Sequence, residues 1–163
     1  MATRRLILLR HAKSDWHSGA ATDFDRPLNH RGRRDAPRVG RWLHSNNLYP
    51  DVIYCSSAAR TRETLELVGT ELDLTDVEIN YLEELYHASD TEVVEIAEQY
   101  LLDQQNVMLI GHNPGFEMAL LCLVPDVQIP SDGKLMTTCC VAVIDFDDIG
   151  TVTLTHLKRP DNS

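Results

Sequence analysis

The chain has 163 residues, enough to bury the core of one domain, and we predict a single domain over residues 1–163. Its net charge of −10 argues against nonspecific nucleic-acid binding, and no apolar run approaches the roughly 20 residues that span a bilayer. The apolar run after Arg5 ends at Leu9, which is shorter than the roughly 7–15 residues of a signal-peptide core. We therefore expect a cytoplasmic protein with neither a nucleic-acid nor a membrane partner.

Apolar strands and amphipathic helices alternate along the sequence. A first strand is predicted at residues 5–9, and Asn29 is the predicted N-cap of a helix over about 31–46. The other predictions, in chain order, are strand 51–57, helix 59–72, strand 77–82, helix 90–102 capped by Asp90 or Thr91, strand 106–112, helix 114–124, and a closing hairpin of strands 139–146 and 151–157. This order predicts an α/β fold, a three-layer α/β/α sandwich with a mostly parallel central sheet.

Charge is distributed unevenly along the chain. Residues 1–62 carry twelve of the fifteen Lys and Arg and five of the 25 Asp and Glu, a net charge of +7, whereas the remainder carries −17. A basic first half suits a small anionic ligand, and a bipolar solvated surface is the alternative. The four cysteines form no CxxC pair, so we expect reduced, buried thiols and no zinc site.

Arginines and histidines stand where three of the predicted strands end. Arg10 and His11 follow the first strand, Arg60 begins the helix after the second, and His112 and Asn113 follow the strand "NVMLIG". Ligands of such sheets bind beyond the carboxyl ends of the strands, so we expect these side chains to converge on one edge. Guanidinium groups suit phosphate oxygens, and histidine can act as a nucleophile. The set predicts phosphoryl transfer through a phosphohistidine intermediate, without a metal or other cofactor, since the arginines supply the positive charge.

Three segments, in this order, carry a family resemblance: "LLRHAKS", "SSAARTRET" and "GHNPG". Together they resemble the motifs of the histidine phosphatase superfamily, which implies a phosphoglycerate mutase-like fold. The resemblance also implies that His11 is the nucleophile and that Arg10, Arg60 and His112 bind phosphate. Ser14 and Asn113 are implied as hydrogen-bonding residues at the pocket edge.

The sequence departs from the superfamily pattern at four positions. Ala12 replaces a glycine, Ser57 a proline and Glu63 a glutamine, and His17 stands where the phosphoglycerate mutases carry asparagine. None of these changes removes a predicted phosphate ligand. Arg62, two residues beyond Arg60 on the same helix, is expected to face elsewhere.

The short chain, with "DFDRPLNHRGRRDA" and "ELYHAS", resembles the SixA-type phosphohistidine phosphatases. This resemblance implies a substrate protein that carries phosphohistidine, namely a histidine phosphotransfer domain. Two alternatives remain at this point: a phosphatase of small phosphomonoesters, and a phosphate-binding module without catalytic activity.

A general acid is harder to assign. Glu84 aligns with the catalytic glutamate of the mutases, Glu83 and His87 are rivals, and a solvated acidic turn is the alternative interpretation of "LEEL". An imidazole leaving group is much less basic than an alkoxide, so a phosphohistidine substrate needs less proton donation.

Five arginines crowd the helix predicted at 31–46, at positions 31, 33, 34, 38 and 41. Arg34, Arg38 and Arg41 are spaced to lie along one side. We hypothesise that this helix borders the pocket and guides an acidic phosphoprotein toward His11, the alternative being a solvated basic face.

Overall fold

A six-stranded sheet forms the centre of the computed structural model, which describes residues 3–160. Its strands are β1 (Arg4–Arg10), β2 (Val52–Ser56), β3 (Glu78–Leu82), β4 (Asn106–Gly111), β5 (Val141–Phe146) and β6 (Val152–Lys158). They lie side by side in the order β3-β2-β4-β1-β5-β6. The first four strands along the chain pair in parallel, whereas β5 and β6 add an antiparallel edge.

Four α-helices cover the two faces of the sheet: α1 (His30–Ser45), α2 (Ala59–Val68), α3 (Asp90–Leu101) and α4 (Gly115–Leu123). Side chains of α1 and α2 belong to one apolar core, and those of α3 and α4 belong to the other. The predicted three-layer α/β/α sandwich with a mostly parallel sheet is confirmed.

Strand β1 contributes to both cores, because successive side chains of a strand point to opposite faces. Leu6 and Leu8 pack in the core of α3 and α4, whereas Ile7 and Leu9 pack in the core of α1 and α2. All four side chains are fully buried, and burying each contributes about 1.5–3 kcal/mol. The strand that carries Arg10 and His11 at its end is therefore anchored from two sides.

The predicted helix boundaries hold to within a few residues. Asn29 caps α1 as predicted, since its Oδ1 accepts a hydrogen bond from the Gly32 amide at 2.9 Å. The cap predicted for α3 was wrong, because Ser89 caps this helix rather than Asp90 or Thr91. The Ser89 Oγ accepts from the Glu92 amide, and the Glu92 carboxylate accepts from the Ser89 amide, which completes a capping box.

The cysteines agree in part with the expectation of reduced, buried thiols. All four cysteines are free; Cys55, Cys139 and Cys140 are buried as expected, but Cys122 is exposed on α4. Between residues 3 and 160, no helix is long and apolar enough to cross a membrane.

Candidate active site

The sheet topology brings two histidines together at the carboxyl ends of β1 and β4. His11 follows β1 and His112 follows β4, and these strands are parallel neighbours. The centroids of their rings lie 5.3 Å apart, with an angle of 54° between the ring planes. Both side chains are buried, as is that of Arg60 in the first turn of α2. The predicted convergence is therefore present in the fold.

One hydrogen bond determines which nitrogen of the His11 ring carries hydrogen. The Nδ1 atom lies 2.7 Å from the carbonyl oxygen of Ala12. A carbonyl oxygen only accepts, so Nδ1 must be the protonated nitrogen, and the neutral ring keeps a lone pair on Nε2. Ala12 itself is buried against α2, and its amide donates to the Thr64 Oγ1 at 3.0 Å. The methyl group that replaces the superfamily glycine thus packs into the core.

His112 is held by strand β2. Its Nε2 lies 2.8 Å from the Oγ of Ser56, which also accepts from the amide of Ala58 at 3.3 Å. The Ser56 hydroxyl can donate its own hydrogen to Nε2, which places the hydrogen of a neutral His112 ring on Nδ1. His112 then offers an N–H donor, whereas His11 offers a lone pair.

Burial and neighbouring positive charge keep both rings neutral. Desolvation holds the pKa of His11 well below 6.5, and the positive charges of Arg60 and Arg10 act in the same direction. Desolvation and the charge of Arg60 lower the pKa of His112 to about 3. A neutral histidine is the form that can attack phosphorus, so His11 keeps its nucleophilic form below the usual titration range of histidine.

Because both rings are neutral in the folded chain, we predict that the free energy of unfolding falls in mild acid. Both titrate near pH 6.5 in the unfolded chain and lower in the folded chain, so the unfolded chain binds more protons below pH 6.5. We expect each ring to lower the free energy of unfolding by roughly 1.4 kcal/mol at pH 5.5 relative to pH 7.5. Urea unfolding at both pH values measures this loss, which should shrink by that amount in His11→Asn and in His112→Asn. His17→Asn, at an exposed histidine, is the control, and an equal pH dependence in all variants would contradict the prediction.

Arg60 is held by Asp23, a residue that the sequence reasoning did not assign to the site. The Arg60 Nη1 donates to the backbone oxygen of Asp23 at 2.8 Å, and Nη2 donates to its Oδ2 at 3.0 Å. The Tyr86 hydroxyl donates to the same Oδ2 at 2.6 Å. Hydrogen bonds from Tyr86 and Arg26, together with Arg60, hold the pKa of Asp23 well below its usual range. Asp23 therefore stays ionised and orients the guanidinium group.

Arg26 extends this network to Ser14. Its guanidinium pairs with the Asp23 carboxylate at 3.1 Å and donates to the Ser14 Oγ, and both Arg26 and Ser14 are buried. The Arg26 guanidinium also lies 3.6 Å from the centre of the Trp16 ring. Ser14 thus joins the site through Arg26, while its role as a pocket-edge hydrogen bonder stays a prediction.

Arg10 is tied to the loop before β5. Its Nη1 donates to the carbonyl oxygen of Met136 at 3.0 Å, and the Asn113 Nδ2 donates to the same oxygen at 2.8 Å. The Glu117 Oε1 accepts from the backbone amides of Leu135 and Met136 at 2.6 and 2.9 Å. Asn113 therefore lies beside Arg10, with its amide group bonded to this loop.

Several donors at the site are buried without a partner. Arg10 Nε, Arg60 Nε and His112 Nδ1 are among the five buried side-chain atoms that form no hydrogen bond within residues 3–160. Leaving a buried donor unpaired costs about 1–3 kcal/mol. A ligand with several anionic oxygens would satisfy these donors, which suits a phosphoryl group. No cluster of His, Cys, Asp or Glu suited to a metal ion occurs in the described part of the chain.

The candidate general acids differ in their placement. Glu83 and Glu84 are exposed on a short 3₁₀ turn, and no hydrogen bond or ion pair joins Glu84 to any residue between 3 and 160. The His87 ring lies 3.9 Å from that of Tyr86, whose edge contacts His112. His87 is therefore connected to the histidine pair through Tyr86, and the identity of the acid stays a prediction.

Arg62 faces away from the histidines, as expected. Its Nε donates to the Ser57 carbonyl oxygen at 2.8 Å, and its guanidinium lies over the Tyr81 ring at 4.0 Å. It shares helix α2 and formal charge with Arg60 but none of the Asp23 contacts, which makes it a matched control.

Sequence comparison finds relatives of unknown function and relatives of known function. It is 37% identical over 125 residues to an uncharacterised chloroplastic protein of Arabidopsis thaliana, covering 72% of this chain but only 57% of that protein. It is 28% identical over 162 residues to the phosphohistidine phosphatase SixA of Escherichia coli, covering 97% of this chain and 95% of that protein.

Comparison with solved structures and with family models points to the same family as the sequence relatives. A structure of the protein histidine phosphatase SixA complexed with tungstate superposes with a TM-score of 0.80 at 25% identity, covering 96% of this chain and 97% of that one. Residues 6–104 match the family model of the histidine phosphatase superfamily, branch 1. This range includes His11 and Arg60, and His112 lies beyond it. The chain is a SixA homologue and belongs to the histidine phosphatase superfamily.

Proposed function

We propose that the protein removes a phosphoryl group from histidine on a partner protein, through a phosphohistidine intermediate on His11. The observation that carries this proposal is the orientation of the His11 ring, whose Nδ1 hydrogen is held by the Ala12 carbonyl at 2.7 Å. The Nε2 lone pair is thereby left for phosphorus, next to His112. Membership of the superfamily and similarity to SixA support phosphatase activity, and the named activity of SixA supports the finer assignment.

In the first step, His11 Nε2 attacks the phosphorus atom of the substrate. A new P–N bond forms on His11 while the P–N bond to the substrate imidazole breaks, and its electron pair returns to that imidazole. Arg10, Arg60 and the Nδ1 hydrogen of His112 stabilise the charge on the three phosphoryl oxygens. In the second step, water attacks phosphorus and the bond to His11 breaks, with its electron pair returning to Nε2. Inorganic phosphate leaves with the oxygen and one hydrogen of that water, and the other hydrogen is released to solvent as a proton.

The leaving group decides how much proton donation the reaction needs. When the second ring nitrogen of the substrate is protonated, imidazole leaves as a neutral molecule, whereas an alkoxide needs a proton from the enzyme. Glu84, the predicted acid, is exposed and unbonded within the described residues. This placement supports phosphohistidine over a phosphate ester.

The segments bordering the site contain little helix of their own. The connection from β1 to α1 contains one 3₁₀ turn (Asp23–Asp25), and the connection from β3 to α3 contains another (Glu83–Leu85). Trp16, in the first of these connections, has 67% of its surface exposed. A site bordered in this way admits a side chain carried by another protein, which supports a histidine phosphotransfer domain as substrate.

A side-by-side kinetic assay tests the proposal. The substrates are a histidine-phosphorylated phosphotransfer domain, phosphorylated sugars and an aryl phosphate, all in buffer with EDTA because the arginines supply the positive charge. We expect kcat/KM for the phosphohistidine protein to exceed that for the sugar phosphates by at least about 100-fold, because the sugars need an alkoxide to be protonated. A reversed order, or activity that depends on added zinc or magnesium, would reject the proposal.

A phosphatase of small phosphomonoesters is the second candidate. The observation that favours it is His87, which is connected to His112 through the Tyr86 ring and could protonate an alkoxide. A preference for sugar phosphates that is lost in His87→Asn would support this candidate over the first.

A further inference from the structure

A cleft of about 410 Å³ opens directly beside the phosphoryl site. One wall contains Lys13 and Arg31, the other contains Lys134, and Arg10 belongs to both the cleft and the site. We call this feature the basic cleft. It shares Arg10 and Asn113 with the phosphoryl site, so a group bound there lies beside that site.

The basic cleft carries an excess of positive charge in a protein of net charge −10. Glu117 is the carboxylate on its lining, and the backbone amides of Leu135 and Met136 already bond to this side chain. Within the described residues, neither Lys13 nor Lys134 forms an ion pair with a carboxylate. The nearby Asp132 is engaged by Arg159 at 2.7 Å. The lining of the cleft therefore carries four cations against one carboxylate.

The backbone fixes the wall that carries Lys13 and Arg31. A Cβ atom at position 32 would lie 2.2 Å from the Lys13 carbonyl oxygen, so only glycine lets α1 approach this closely. The Asn29 amide donates to the same oxygen at 3.0 Å. The start of α1 is thus held against the loop after His11, which places the side chains of Lys13 and Arg31 on one surface.

The opposite wall is fixed by the residues that hold Arg10. The carbonyl oxygen of Met136 accepts from Arg10 and Asn113, and the side chain of Met136 is buried. Lys134 stands two residues earlier and is exposed. The spacing between the two basic walls is therefore set by the same contacts that orient Arg10.

Two of the arginines predicted to guide a substrate, Arg34 and Arg41, do not line the cleft. Arg34 lies beside the buried Asp35 at 3.3 Å, and Arg41 pairs with Glu71 at 3.0 Å. Arg41 lies about 15 Å along the helix axis from Arg31, at 1.5 Å per residue. Arg31, at the start of α1, is the arginine of this group that lines the cleft, although Asp35 lies 3.5 Å from it.

We propose that the basic cleft binds an acidic segment of the partner protein while the phosphorylated histidine of that partner occupies the His11 site. This inference rests on the proposed function and specifies the substrate surface: carboxylates adjacent to the phosphohistidine. Such contacts raise the rate of productive encounter and weaken as ionic strength rises.

The double variant R31E/K134E tests the proposal, with R41E/R62E as a control that makes the same change in net charge outside the cleft. For a histidine-phosphorylated phosphotransfer domain, we expect R31E/K134E to lower kcat/KM by about 10- to 100-fold at low salt, and by less at high salt. Turnover of an aryl phosphate should stay within about twofold of the wild type, since Arg10, Arg60 and His112 are unchanged.

The other outcomes each overturn the proposal. Equal losses on both substrates would indicate damage to the phosphoryl site, and equal losses in R41E/R62E would indicate a general charge effect. An unchanged rate on the phosphoprotein would leave the cleft without a role in docking. If a small bisphosphate assayed alongside lost turnover while the phosphoprotein did not, the cleft would be assigned to a second phosphate instead of a protein. Wild-type enzyme that fails to act on the phosphoprotein would instead reject the proposed function, and the docking proposal with it.

Discussion

His11→Ala is expected to abolish turnover on every substrate, with kcat/KM falling by roughly 10⁴-fold or more, because loss of a covalent nucleophile removes the whole route. The fold should survive the change, since the backbone groups of His11 keep their hydrogen bonds to Gly111 and Cys139. Steady-state kinetics on purified protein and circular dichroism of the same samples measure the two effects separately.

Trapping of the intermediate identifies the nucleophile directly. Rapid quenching of the wild type with labelled substrate should leave phosphate that is labile in acid and stable in base, bound to His11. His112→Ala should reduce the rate but still allow label on His11. Label on His112 in the wild type, or none at any quench time, would contradict the assignment of His11.

Arg60→Lys is expected to lower kcat/KM by about 10²–10³-fold, the usual effect of removing one donor to a transition-state oxygen. Lysine keeps the positive charge but loses the planar fork. In this protein the fork also bonds the backbone oxygen and carboxylate of Asp23 at 2.8 and 3.0 Å, so its replacement disturbs the whole network.

Arg62→Lys provides the matched comparison on the same helix. Its side chain bonds Ser57 and lies over Tyr81, so its loss should change kcat/KM by less than about twofold. If both variants lost activity equally, the assignment of Arg60 rather than Arg62 to the phosphoryl site would be wrong.

The parts of the fold that could be predicted are those set by local pattern. Short runs of neighbouring residues predict the fully buried strands β1 and β4 and the capping side chain of Asn29. The convergence of His11 and His112 could also be anticipated, because parallel strands end at one edge of a sheet. Each of these inferences needs only a few neighbouring positions in the chain.

The remainder of the site depends on contacts between distant loops. Asp23 is separated by 37 positions from Arg60 and by 63 positions from Tyr86, and no sequence periodicity predicts either contact. Both lie in segments quoted for their resemblance, "DFDRPL" and "ELYHAS", which was the available signal. The predicted cap of α3 was wrong by one or two positions because Ser89, Asp90 and Thr91 are all good cap residues. The pairing of Ser89 with Glu92, three residues on, was the feature that distinguished them.

Because β1 is packed on both faces, the backbone of His11 is exposed to solvent only when the strand is released. The His11 amide donates to Gly111 at 3.0 Å, and its carbonyl oxygen accepts from Cys139 at 2.9 Å, so it continues the pairing of the central strand. Freeing this residue means separating β1 from its neighbours and opening the cores on both faces. Fluctuations that release an edge strand or a surface turn leave the hydrogen bonds of the His11 backbone in place. We therefore expect hydrogen exchange at the His11 amide to require global unfolding and to be among the slowest in the molecule.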